Sequence, residues 1–140
     1  MKITFTLLSL LFLQLGFGQS ADDILGTWLT DEGKGKIKVY KKNGEYFGKI
    51  IWLNDDVGPD NKGPKLDVNN PVERLQSRKL VGTVVVKNLT WDAEEQEWNE
   101  GEIYDPESGN TYSVYAWMNE KDVLHIKGYI GFSLIGRATQ

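Results

Sequence analysis

Apolar and polar residues alternate with a period of two along most of this chain, the signature of half-buried β-strands. Between Lys36 and Lys41, Ile37 and Val39 face one way and Lys36 and Lys38 the other. Asn43-Gly44 follows, a dipeptide suited to a tight hairpin turn. Glu45–Leu53 then reads as a long strand. Tyr46, Gly48, Ile50 and Trp52 share one face, and Phe47, Lys49, Ile51 and Leu53 share the other. Gly26–Thr30 predicts the first strand, and the β-branched run Leu80–Val86 a buried one. Asn88–Trp91 and Glu97–Tyr104 flank an acidic tip, which places Trp91 near Trp98 across a hairpin. Thr111–Met118 sets Tyr112, Val114, Ala116 and Met118 opposite Thr111, Ser113, Tyr115 and Trp117. Val123–Tyr129 and Phe132–Thr139 complete the series.

The clearest hairpin is Gly101–Tyr112. Asp105-Pro106-Glu107-Ser108 has type I turn chemistry: Asp105 accepts backbone hydrogen bonds and Pro106 pre-sets φ. Gly109 supplies a left-handed residue, predicting a bulged hairpin. Gly128 and Gly131 mark the bend before the last strand.

One stretch breaks the period. Asn54–Lys79 is rich in Asn, Asp, Gly and Pro, and connections longer than ~12–15 residues are uncommon and often functional. Within it, Asn70-Pro71-Val72-Glu73 has the order of an N-cap, an N1 proline and a capping-box glutamate, predicting a short helix over Pro71–Ser77. About eight strands joined by short turns are most economically closed into an antiparallel up-and-down barrel, which leaves no exposed sheet edge. A two-sheet sandwich is the alternative. The length of 140 residues and the absence of repeats indicate a single domain.

The first 18 residues stand apart. Lys2 precedes the apolar run Ile3–Leu15, and Gly16 and Gly18 sit at -3 and -1 of a cut before Gln19. The run is shorter than the ~20 residues that span a bilayer. Residues 1–18 therefore read as a signal peptide and 19–140 as the β-barrel domain, exported to the periplasm or beyond without stable membrane insertion after cleavage. Composition narrows the chemistry. The chain has no cysteine, which excludes disulfides, thiolate metal sites and lipid attachment at a lipobox cysteine. Its net charge is -4 with no concentrated Lys/Arg face visible in the sequence, which argues against nucleic acid or an anionic membrane as the main partner.

Three clusters resemble a known family when taken in order. They are Gly26-Thr27-Trp28, the Asp105-Pro106 to Gly109 turn, and Lys127–Gly131 followed by Leu134 and Gly136-Arg137. Together they resemble the exported bacterial domain-of-unknown-function family 2147, and Asn69-Asn70-Pro71 to Gly82 fits one branch of it. Some members carry a cysteine pair in the long loop, which this chain lacks. Members also run past the Gly-Arg pair, so the closing strand here is expected to be short. The resemblance implies a lipocalin-like barrel. On that pattern Gly26 and Trp28 lie on the first strand and Arg137 stacks over the indole, closing one end by a cation–π contact. The family implies no reaction and no established ligand.

Candidate chemistry is sparse. His125 is the only histidine and has no nucleophile motif beside it. Glu100, Glu102 and Asp105 are the best carboxylates for a hydrolase, but two share a strand face and the third has a turn to hold. Asn54, Asp55, Asp56, Asp60 and Asn61 carry calcium-ligand chemistry without EF-hand spacing. The expectation is a non-enzymatic barrel without a cofactor or metal, binding a small apolar or amphipathic ligand inside. Tyr46, Trp52, Tyr112, Tyr115 and Trp117 are the candidate lining residues, and Asn54–Lys79 is the gate. The rival is an envelope interaction module with a filled core, acting through Trp91, Trp98 and the loop surface.

Overall fold

The computed structural model describes residues 19–139. The signal-peptide expectation for residues 1–18 lies outside the described residues. Eight strands, β1 (Gly26–Thr30), β2 (Gly35–Lys42), β3 (Glu45–Leu53), β4 (Val84–Asp92), β5 (Glu97–Asp105), β6 (Asn110–Glu120), β7 (Val123–Gly128) and β8 (Ser133–Thr139), form a closed barrel in sequence order. Every neighbouring pair is antiparallel, and β8 closes on β1 with Trp28 opposite Ala138 and Thr30 opposite Gly136. Of Leu80–Val86, expected as a strand of its own, residues 80–83 form a turn and Val84–Val86 open β4, which continues to Asp92 and so joins it to the segment Asn88–Trp91.

Bulges decide which side chains face inward. Ile37 pairs with Ile50 but Lys36 pairs with Trp52, so Ile51 is an extra residue on β3. One unpaired residue reverses the alternation beyond it. Trp52 is thereby turned to the outside and Leu53 to the inside, the reverse of their expected faces. Positive φ at Asn88 on β4 and at Glu100 on β5 accompanies breaks in register there too.

The core is continuous from Ile37, Val39, Tyr46 and Ile50 through Val86, Leu89 and Trp98 to Val114, Leu124 and Ile126. An apolar void of about 20 Å³, enough for about one water, lies within it beside Trp28, Val39 and Leu124. The base of the barrel is therefore filled with side chains.

A 3-10 turn, Ala21–Ile24, plugs one end. Ile24 is fully buried. Three inward aromatics hold the turn. Trp28 Nε1 donates to the Ile24 carbonyl at 2.9 Å, Trp98 Nε1 to the Ala21 carbonyl at 2.9 Å, and the Tyr46 hydroxyl to Asp22 at 2.6 Å. Each satisfies its one polar atom where the rest of the ring is buried. Arg137 takes no part. It is exposed, paired with Leu29 and Val123, and the side of Trp28 facing β8 is covered by Gly136. The expected guanidinium cap over the indole is thus replaced by a glycine contact and a backbone plug.

Candidate functional site: an open cup at the unplugged end

At the other end, the ends of β1, β3, β5 and β7 and the starts of β2, β4, β6 and β8 surround an open cavity of about 1180 Å³. Its floor is apolar, with Ile37, Ile50, Val85, Ile103 and Leu134 from five strands. Leu53, placed inward by the β3 bulge, and Phe132 line its side. Val57, Leu66 and Val68, all exposed, form a wall from the long loop. The rim carries both charges. Lys34 pairs with Glu32 at 3.0 Å and Lys65 with Asp55 at 3.4 Å, while Asp31 and Glu107 also border the opening. Its ion pair with Glu32 raises the pKa of Lys34.

The long loop has two parts. Residues 54–66 form an arm that closes mainly on itself: Gly58 N donates to the Gly63 carbonyl at 2.9 Å and Lys65 N to Asp56 at 3.0 Å. Asp55 and Asp56, read as possible calcium ligands, are engaged in this closure. No group of three acidic or histidine residues able to hold a metal ion gathers among the described residues.

The second part, from Asp67 to Lys79, is locked to the barrel. Asp67 is fully buried and its carboxylate accepts from Asn70 Nδ2 at 2.9 Å, Arg78 Nε at 2.9 Å and the Tyr104 hydroxyl at 2.5 Å. Arg78 also forms an ion pair with it at 2.9 Å. A buried charge is tolerable only when partnered in this way. Burial and the hydrogen bond to Asp67 push the Tyr104 hydroxyl up to about 12. Asn69 ties the loop to the β5–β6 turn, donating to the Pro106 and Glu107 carbonyls at 3.1 and 3.0 Å. The expected helix over Pro71–Ser77 contracts to a 3-10 turn, Glu73–Leu75. Asn70 spends its side chain on Asp67 and on Val72 N at 2.8 Å, so no capping box forms.

None of the five aromatics expected to line the interior borders this cup. Tyr46 is inward but belongs to the plugged end. Tyr112 packs on Phe132 with ring centroids 5.5 Å apart. Trp52 lies outside beneath Lys36, whose ammonium is 5.4 Å from the ring. Tyr115 and Trp117 face outward from β6 and stack on each other, and Trp117 also stacks on His125. The inward residues of that strand are Val114, Ala116 and Met118. The hairpin pair Trp91–Trp98 forms as expected, with centroids 4.6 Å apart, but Trp98 is fully buried and offers no surface to a partner. Of the three candidate carboxylates only Asp105 borders the cup, and it is occupied by its turn, accepting from Glu107 N and Ser108 Oγ. Glu100 and Glu102 are exposed, and Glu102 stands opposite Lys87.

An eight-stranded meander with a filled base, one plugged end and one open mouth defines a lipocalin-like barrel. The family described as an uncharacterized protein conserved in bacteria (DUF2147) matches residues 26–140, and the chain belongs to it. A solved structure described as protein HP1028 from the human pathogen Helicobacter pylori, of the lipocalin family, is similar with a TM-score of 0.67. The match has 21% identity and covers 83% of this chain and 82% of that one. At that identity the likeness is one of fold. Comparison with curated proteins gives no match.

Proposed function

We propose that this protein is exported to the bacterial envelope and binds, without catalysis, one small apolar or amphipathic molecule in the cup at its unplugged end. The observation that carries this reading is the pairing of an apolar floor with an apolar wall. Val57, Leu66 and Val68 stand exposed around a space floored by Ile50, Val85 and Ile103. Apolar surface left in water costs roughly 25 cal/mol per Å², so an apolar occupant gains by covering both sides at once. The filled base moves the proposed site from the barrel interior to its mouth. The mixed charge at the rim suits an amphipathic ligand whose polar end stays in solvent.

The test is native mass spectrometry of the mature protein purified from its own envelope extract without refolding, followed by titration of the same preparation with a fluorescent naphthylamine amphiphile. A retained small molecule, or saturable probe binding lost in Leu66→Glu, supports the cup. A clean apo mass with no saturable probe binding overturns it. The filled base then favours the second reading, an envelope interaction module.

A further inference from the structure

The large exposed apolar side chains are distributed unevenly. Ile130 is 83% exposed, Tyr129 63% and Val68 57%, and all three lie at the mouth with Val57 and Leu66, whereas Leu25 alone marks the plugged end. Tyr129 and Ile130 occupy the tip of the β7–β8 turn and do not line the cup, so a ligand there would not cover them. Trp52 adds an exposed indole on β3, across the barrel from the β7–β8 turn.

Charge is distributed in the opposite sense. The hairpin tips at the plugged end carry Glu45, Asp92, Glu94, Glu95, Glu97, Glu120 and Asp122 against Lys42 and Lys121. At the mouth, Glu32 and Asp55 are neutralised by Lys34 and Lys65. Asp31, Asp56, Asp60, Glu73, Asp105 and Glu107 remain against Lys62, Arg74 and Lys79, so the mouth itself is mildly acidic. Basic charge collects on the flank below it. Lys36 covers Trp52, and Lys38 stands directly opposite Lys49 on adjacent strands. None of these three lysines has an ion-pair partner among the described residues. Like charges placed opposite each other destabilise a sheet unless something neutralises them. Lys36 and Lys38 are alternate residues of β2, and the β2–β3 hairpin brings Lys49 beside them, so the basic face is assembled by one hairpin.

We infer that the mouth end is a docking face for a phospholipid bilayer surface. Ile130 and Val68 enter the interface, Tyr129, packed on Tyr115, lies at its edge, and Lys36, Lys38 and Lys49 meet headgroup phosphates. The apolar residues sit on separate protruding tips, a form suited to penetrating a soft interface. Tyr and Trp are the residues that favour such interfaces, with one end apolar and the other wet. Lys38 lies two residues, roughly 7 Å along the strand, below Lys36, so the basic flank stays within one Debye length of the headgroups. The acidic tips stand off by the length of β3, roughly 30 Å along the strand, beyond the reach of that field. The contact is peripheral. The strands carry Lys38, Lys49, Lys87 and Glu102 outward at mid-height around an apolar interior, the inverse of a barrel that spans a membrane. The inference extends the proposed ligand site by giving a hydrophobic ligand a route from bilayer to cup, but the docking face stands on residues outside the cup.

Co-sedimentation of the mature protein with vesicles tests it, using phosphatidylcholine alone and phosphatidylcholine with phosphatidylglycerol. The protein should partition onto both, more strongly onto the second. Ile130→Asp should weaken partition roughly tenfold or more on both. Lys38→Glu should remove only the gain from phosphatidylglycerol, and Leu25→Asp should change nothing. Failure of the parent protein to partition onto either vesicle, or partition unaffected by Ile130→Asp, overturns the inference. A dimer in solution that Ile130→Asp dissociates also overturns it, because a second copy is then the occupant. Naphthylamine binding in the absence of vesicles should survive Ile130→Asp, so the docking face and the cup fail separately.

Discussion

The carbonyl of Asn69 occupies the position where a side chain on Gly109 would begin. The long loop and the β5–β6 turn therefore meet backbone to backbone, and only glycine admits the contact. Gly109 is constrained a second time by its own backbone, at φ +74, a region costly to residues with a Cβ. It ends a four-residue loop, Pro106–Gly109, with Gly109 N donating to the Asp105 carbonyl at 2.8 Å, in place of the bulged turn expected. Gly109→Ala should destabilise the protein by about 2–3 kcal/mol, combining left-handed strain with overpacking. Asn69→Ala should cost about 1 kcal/mol, since its two hydrogen bonds are exposed. Urea unfolding of both variants and their double mutant would show coupling, with a combined loss smaller than the sum. Strict additivity would mean that the two residues do not act as one clamp.

Asp67 sits at the centre of the second clamp, and its test is pH. The hydroxyl of Tyr104 titrates near 10 in an unfolded chain and at about 12 in the folded protein. A raised folded pKa means that the native state holds its proton more tightly. The stabilisation is therefore complete below about 10 and is lost as pH rises toward about 12. Melting temperature measured from pH 8 to 12 should fall more steeply for the parent protein than for Tyr104→Phe, with the two curves converging at the alkaline end. Parallel curves would remove Tyr104 from the clamp. Asp67→Ala should be the more damaging change, about 3 kcal/mol, because it strands the partners of a fully buried carboxylate. Arg78, whose side chain is 35% exposed, can recover some hydration, which holds the loss to that level.

The two clamps mark where the sequence is readable. Local turn chemistry at Asn43-Gly44 and Asp105–Gly109, with period-two alternation, is enough to predict β2, β3, β5 and β6 and the closed meander. The inward and outward faces are less legible. On β6, Val114 and Ala116 compete with Tyr115 and Trp117, and both sets are apolar, so alternation names two faces without saying which is inside. On β3 a single extra residue, Ile51, reverses Trp52 and Leu53. The loop lock is less visible still, because Asp67, Arg78 and Tyr104 are far apart in sequence and none has a motif. One signal was available: Asp67 lies between Leu66 and Val68 in a segment otherwise read as a solvated loop.

Closure of the plugged end separates two residues that the lipocalin pattern joins. Trp28 is 5% exposed, packs against Gly136 and donates to Ile24. Trp28→Ala should cost about 3–5 kcal/mol through cavity formation and release of the plug. Arg137 projects from the outer face of β8, so Arg137→Ala should fall within about 0.5 kcal/mol of the parent. Thermal and urea unfolding measure both. A loss at Arg137 comparable to that at Trp28 would restore the guanidinium to a closing role.

The same division of labour governs the long loop and revises what can be removed from it. Deleting Asp55–Asn69 would take Asp67 and Asn69 with it, breaking both clamps, and should unfold the mouth. The arm is separable. Gly58 N and the Gly63 carbonyl are 2.9 Å apart, so the chain enters and leaves Pro59–Lys62 at nearly the same point. Replacing those four residues by two glycines can bridge the gap without moving Val57 or Leu66 far, and loop shortening of this size changes closure entropy only slightly. The melting temperature should stay within a few degrees of the parent. If the arm gates the cup, stopped-flow dissociation of the naphthylamine probe should accelerate several-fold, with association faster as well, so that affinity changes less than either rate. Unchanged rates would make the arm a fixed wall. A collapse of the melting temperature would place it in the structural core of the mouth, and gating would then have to be sought in the rim pair of Lys34 and Glu32.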